Sequence, residues 1–547
     1  MTNSIYKLPK RFFPFVSLLF LFVLITSGWS LDKVERTTVF VNVSVIPMDS
    51  ERILENQTVL IRGEKIIQID STDRSTIPVG AQIIDGKGKF LMPGLADMHA
   101  HLLFDDAPEH MALYPAHGVT TIRNLNALLP LHFEWREKVK NGEVFGPTIY
   151  TSGPTIGGVP PWVKIQNELM RLITVLLPLL VWMVIWGILR LFKHPKALHQ
   201  FLFFGKKKPE KKKTWMISGT FLILGVGLAF FKVIPMDVYH TLQFPQADIV
   251  ETVSEARNAV ARQKAAGVDF IKLYDYSSQE VYLAAADEAN KQGVYAAGHL
   301  PAAFIEDALR SGISDAVHVS EFSEHFFIDY DPESEEFGTH EIDMSQSKMN
   351  ELADIAVKNN VALVATLITP ETMLLGIEDL NQLLMRPENK FVPLKDIEDW
   401  KSESSKFIRF KDQGKWRREK WRPLLMKLTK TFHDRGVPIL LGTDSDVVGI
   451  VPGMYAHREL ELLVEAGLTP FEALAAGTRN SARIAEKMVG DGNWGTVEIG
   501  KRADLILVEA NPLEDVRNTT RRAGVMVRGK WYSQTELEKM LDEMVEK

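Results

Sequence analysis

Cysteine is absent from all 547 residues, which excludes a disulfide framework, thiolate chemistry and any cysteine-ligated metal site. A metal in this chain needs histidine, carboxylate or modified lysine ligands. Positive charge is not in excess either: 63 Lys and Arg stand against 70 Asp and Glu, a formal net charge of -7. That excludes a general nucleic-acid binder, which requires a basic face. The chain also lacks the low hydrophobicity of a disordered protein. With 46% hydrophobic and 24% charged residues, it can bury the core of a catalytic domain of ~250 residues or more, plus something smaller.

Charge is most sharply missing from three runs. Phe12–Leu31 follows Lys7, Lys10 and Arg11, so residues 1–36 read as a signal peptide or an N-terminal membrane anchor. Leu172–Leu189 and Thr214–Phe231 are each 18 residues long, the lower limit for crossing a hydrocarbon core of ~30 Å. A pair of buried core helices is the alternative, but the connector between the runs argues against it. Arg190, Lys193, Lys196, Lys206, Lys207, Lys208, Lys211, Lys212 and Lys213 there face a single acid, Glu210. Residues 161–244 therefore read as an inserted transmembrane hairpin with a basic cytoplasmic loop. The expectation is a membrane protein with the lipid bilayer as a partner and its catalytic part on the extracytoplasmic (periplasmic or extracellular) side. The hairpin is open to two roles, a plain anchor or a route for substrate from the bilayer.

Outside these runs, strand-like segments recur at Leu91–His101, Gly118–Leu125, Pro147–Gly153, Val268–Asp275, Val294–Leu300, Asp315–Glu321, Val361–Ile368 and Val437–Asp446. Helix-period stretches such as Ile249–Ala266, Ser278–Gln292 and Phe304–Ser311 lie between them. Eight alternations predict an α/β fold, a (β/α)8 barrel over 91–160 and 245–492. A doubly wound open sheet is the alternative, and no glycine-rich dinucleotide turn supports it. Residues 37–90 and 493–535 alternate apolar and polar positions and predict a small composite β-sandwich domain made from both ends.

The polar residues at the predicted strand ends carry the chemistry. His99 and His101 close the first barrel strand; at i and i+2 they share a face and form a ready chelate. Alone, such a pair is as often structural. Lys272 lies near the end of the fourth strand, His299 ends the fifth, His318 lies in the sixth and Asp444 ends the eighth. Active sites of parallel barrels sit at that end of the strands. Tyr274 and His457 are candidate substrate contacts by position, and Arg123 either orients a carboxylate or pairs inside the barrel.

With these motifs in view, the sequence resembles the amidohydrolase superfamily, most closely its imidazolonepropionase and Xaa-Pro dipeptidase-like branch. The residues that carry the likeness are Pro93-Gly94-Leu95-x-Asp97-x-His99-x-His101, Gly118-Val119-Thr120-Thr121-Ile122-Arg123 and Gly442-Thr443-Asp444-Ser445. Leu468-Thr469-Pro470 with Glu472, and Gly495 through Ala503-Asp504-Leu505, extend it to the C-terminal side. The resemblance implies that His99, His101 and Asp444 bind the more buried metal. It implies that Lys272, once carboxylated, bridges two metals and that His299 and His318 hold the second. Asn124, where relatives often carry Asp, and the hairpin are departures. The implied activity is a membrane-associated, metal-dependent hydrolase that cleaves an amide, cyclic amide or dipeptide C–N bond with metal-activated water, Asp444 moving the proton. One or two divalent ions, zinc by ligand preference, are implied, with a small-molecule or peptide-like substrate. Two alternatives stay open: a mononuclear deaminase, and a catalytically inactive membrane-tethered binding protein.

Overall fold

In the computed structural model, which describes residues 36–102, 110–158, 247–328, 340–402, 406–445, 447 and 449–545, alternating apolar residues near the N-terminal side form five strands. These are β1 (Thr37–Val45), β2 (Leu54–Arg62), β3 (Lys65–Ser71), β4 (Gln82–Asp85) and β5 (Phe90–Pro93). The chain then turns directly into the barrel. Gly94 makes the break: a Cβ there would lie 2.2 Å from Thr120 Oγ1, so no other residue fits without a shift. The expected single strand Leu91–His101 is therefore two, and its first part belongs to another sheet.

The barrel strands are β6 (Leu95–Ala100), β7 (Val119–Asn124), β8 (Thr148–Thr151), β9 (Thr155–Gly157), β10 (Ala247–Ile249), β11 (Ile271–Leu273), β12 (Ala296–Gly298), β13 (Asp315–Val317), β14 (Ala362–Val364) and β15 (Ile439–Leu440). Strands β6, β7 and β8 pair in parallel, as do β11 through β15 in order. Two isolated parallel bridges join the groups, Ser152 to Phe270 and Ala100 to Ser445. The ring β6-β7-β8-β11-β12-β13-β14-β15 closes on itself, while β9 and β10 extend beside β11. Helices between the strands bury one stripe each against the ring. Val253–Ala266 starts with a Thr252/Glu255 capping box and stops at left-handed Gly267.

From the C-terminal side come β16 (Leu505–Val508), β17 (Arg522–Val527) and β18 (Lys530–Ser533). They join the N-terminal strands in the order β18-β17-β16-β5-β1-β2-β3, with β4 on β1. The expected β-sandwich is thus one mixed sheet, with Phe40, Val43, Leu91, Leu505 and Trp531 packed together.

The membrane part of the expected fold class is corrected. Among the described residues no helix is long and apolar enough to cross a membrane; a span needs ~20 apolar residues, whereas the apolar helix Ile368–Glu378 has 11. The runs at 12–31, 172–189 and 214–231, and with them the hairpin and the signal peptide or anchor, fall outside the described residues. The membrane-spanning helices, the bilayer partner and the extracytoplasmic membrane localisation are accordingly set aside.

One buried ion pair crosses the barrel interior beneath the strand ends. Arg123 on β7 donates to both carboxylate oxygens of Asp315 on β13 at 2.6 and 3.0 Å, and its Nε donates to Met98 O at 2.8 Å. Both side chains are fully buried, and the guanidinium lies 5.1 Å from the Phe270 ring centre. Arg123 therefore pairs within the barrel. Arg123→Met should leave Asp315 buried without its partner and cost about 3–5 kcal/mol, measured by urea denaturation; a loss below 1 kcal/mol would refute this role.

Candidate metal centre

The strand ends bring the expected polar residues together. His99 and His101 leave β6, whose pairing with β7 is irregular between Asp97 and Ala100; such irregularities re-aim side chains. Both imidazoles turn to one oxygen: His99 Nε2 lies 3.1 Å and His101 Nε2 3.0 Å from Asp444 Oδ1. His318 Nε2 stands 4.0 Å from the other oxygen, Oδ2. One donor atom each from His99, His318 and Asp444 fall within 4.8 Å of one another, and all three residues are buried.

The remaining residues ring this cluster. His299 meets His318 edge-on with ring centres 4.8 Å apart, and Tyr274 packs on His299 at 4.4 Å. Lys272 is buried on β11, and its Nζ has no hydrogen-bond partner among the described residues. His457 is not brought to the site. Its Nδ1 meets Thr519 Oγ1 at 2.8 Å and its Nε2 meets His117 O at 2.9 Å. His117 precedes β7, at the opposite end of the barrel from the cluster, so the expected substrate contact is instead a tie between the barrel and the C-terminal segment. Asn124 bridges neighbours: its Nδ2 donates to Thr151 Oγ1 and its Oδ1 accepts from Leu102 N, each at 3.0 Å.

Glu321 also lies against the cluster, although it was not among the residues expected there from its place at the end of the predicted strand Asp315–Glu321. It lies in the 3-10 helix Val319–Phe326 that follows His318, and its Oε1 is 3.0 Å from His299 Nδ1. Burial pushes its carboxyl up to about 7.

The electrostatics suit a cation. Burial holds His99 and His299 well below the usual imidazole range and brings His318 down to about 3. Burial acts to raise Asp444, but His99, His318 and the imidazole hydrogen bonds outweigh it and keep this carboxyl well below its usual range. Neutral imidazoles around an ionised carboxylate are the state that binds metal. Burial lowers the Lys272 amine to about 7. Two imidazoles and one carboxylate, with buried Nδ1 atoms of His99 and His101 lacking partners among the described residues, fit a divalent metal.

A family model described as the amidohydrolase family matches residues 222–532. The chain belongs to the amidohydrolase family. It is 30% identical over 67 residues to a 5-methylthioadenosine/S-adenosylhomocysteine deaminase of Bacillus thuringiensis, 12% of this chain and 15% of that protein. It is 34% identical over 80 residues to an imidazolonepropionase of Geobacillus kaustophilus, 14% of this chain and 19% of that protein. These matches span less than a fifth of the relatives' own lengths. A putative prolidase from Bifidobacterium longum superposes with a TM-score of 0.56 at 21% identity, covering 93% of this chain and 99% of that one; at that identity the likeness is one of fold. A metal-dependent site of this family is thus present, built on His99, His318 and Asp444.

A bound ion should stabilise the fold by mass action. With zinc at a hundred times its Kd, stability should rise by about 2.7 kcal/mol, read as a shift in thermal unfolding that a chelator reverses. Asp444→Asn and His318→Ala should each abolish the shift, and a full shift in either would exclude the cluster as the binding site.

Proposed function

We propose that the protein is a single-ion, metal-dependent hydrolase that breaks a carbon–nitrogen bond with water, in the manner of a deaminase. The observation that carries this reading is the convergence of His99, His318 and Asp444 within 4.8 Å, a donor set for one ion. Zinc is the proposed ion, because two imidazoles and a carboxylate suit it. Such an ion supplies Lewis acidity and makes water nucleophilic at neutral pH.

The chain's own residues do the rest. Asp444 Oδ1, held between His99 and His101, accepts a proton from the attacking water and delivers it to the departing nitrogen. His101 fixes the direction of that carboxylate. Glu321, its carboxyl raised by burial to about 7, offers a hydrogen bond to a ring nitrogen or carbonyl of the substrate. The Tyr274 ring beside His299 forms an apolar wall against a small-molecule or peptide-like substrate. Lys272 stays a buried amine outside the donor set. The stretch of similarity to a deaminase supports this reading.

Elemental analysis of protein purified without chelators should give about one divalent ion per chain. A panel of aminated heterocycles should release ammonia, and Asp444→Asn should lower kcat by about 10²–10⁴-fold. Two ions per chain would instead point to a carboxylated Lys272 completing a second position. Amine release from amides would place the activity at amide bonds, and metal binding without turnover on either panel would leave a catalytically inactive binding protein.

A further inference from the structure

Of the three donors in the cluster, His318 is the one whose second ring nitrogen is fixed among the described residues. Its Nδ1 lies 2.7 Å from Thr366 Oγ1, whereas His99 Nδ1 has no such partner. A threonine hydroxyl has one hydrogen, and here it is given to Ala365 O at 2.9 Å. The oxygen then meets the imidazole with lone pairs alone. With the hydroxyl hydrogen turned to Ala365 O, His318 Nδ1 carries the ring hydrogen, and Nε2, the nitrogen that faces Asp444 Oδ2, is left free to bind a cation.

Thr366 does not reach that place by ordinary strand geometry. It follows β14 with φ +48°, in the left-handed region that a β-branched residue avoids. The next two backbone amides show what holds it. Leu367 N and Ile368 N donate to the two carboxylate oxygens of Glu459, at 3.0 Å to Oε1 and 2.7 Å to Oε2. Glu459 is fully buried on the helix Tyr455–Glu465, so the grip comes from a separate part of the fold.

We propose that Glu459 and Thr366 are positioning residues for the metal: Glu459 clamps the turn after β14, and Thr366 thereby sets the tautomer and direction of His318. This rests on the metal-site reading of His318. A merely structural role is also available to Glu459, because its carboxylate satisfies the first amides of the helix Ile368–Glu378. The relay requires more, since the Thr366 hydroxyl caps no amide of that helix and, among the described residues, meets the imidazole and Ala365 O alone.

The test uses the full chain stripped of metal and titrated with Co²⁺, reading affinity against a chromophoric chelator and the visible absorption of the bound ion. Thr366→Val keeps the shape and β-branching; it should weaken Co²⁺ binding by roughly 10–100-fold and alter the absorption bands. Thr366→Ser should restore both. Glu459→Gln should change the bands in the same direction as Thr366→Val. Wild-type affinity and bands in Thr366→Val would overturn the relay, and a Glu459→Gln protein with altered melting but unaltered bands would overturn the part given to Glu459. Should Glu459→Gln fail to fold, the two Thr366 variants decide. A wild-type chain that takes up no Co²⁺ would sink the metal-site reading, and the relay with it.

Discussion

The site depends on one buried carboxylate. Asp97 Oδ1 accepts from His99 N at 3.1 Å and from Thr443 N at 3.0 Å, and Oδ2 accepts from the Thr443 hydroxyl. Asp97 stands on the first barrel strand and Thr443 follows the last, so this group clasps the ring where it closes. Beside it, Asp444 N donates to His99 O at 2.6 Å and Met98 N to Leu441 O at 2.9 Å. Burial pushes the Asp97 carboxyl up to about 6, against the pull of its three hydrogen bonds. Because the clasp joins the residues next to His99 and Asp444, the contact between those two is set by backbone rather than by flexible side chains. That is how a short imidazole–carboxylate contact survives between residues so far apart in the chain.

Around this clasp the fold stores strain where the chemistry lies. His318, Thr366 and Asp444 have φ values of 66°, 48° and 59°, and each follows one of the successive strands β13, β14 and β15. Such backbone costs on the order of 1–3 kcal/mol per residue, and it persists because neighbouring elements over-determine it. Glu459 grips one turn from the helix behind, and Asp97 fixes the strand end that carries another. Inside the barrel Arg123 and Asp315 satisfy each other, so neither takes the Lys272 amine, which stays without a hydrogen-bond partner among the described residues.

Much of the site was legible because it breaks local rules. His99, His101, Lys272, His299, His318 and Asp444 are polar residues at the ends of apolar strands, and that contrast is visible in one dimension. Glu321 closes the predicted strand Asp315–Glu321, but the strand ends at Val317 and a 3-10 helix, Val319–Phe326, carries this residue to His299, a path that strand alternation does not reveal. Glu459 violates its helical period: with Ala456, Leu460 and Leu463 it occupies the buried stripe of its helix, a charged residue where the period calls for an apolar one. His457 was misplaced because its partners, Thr519, His117 and Arg522, come from distant segments that spacing does not reveal. The same holds for the sheet: alternation identified strands at both ends, but pairing across the chain, not alternation, decides between a sandwich and a single sheet. The membrane expectation came from the hydropathy of segments that lie outside the described residues.

The pairing of β5 with β16 has a consequence for biosynthesis. Phe90 faces Val508, and Leu91 faces Leu507, so the middle of the mixed sheet joins strands that leave the ribosome far apart in time. Until the ribosome has released β16, β5 offers an open, apolar edge of the kind that invites pairing with other chains. Non-local pairing of this sort is slow to form. The nascent protein therefore carries an exposed strand edge from the emergence of β5 until that of β16, and its yield in a cell should be governed by how well that edge is shielded as much as by the stability of the finished barrel.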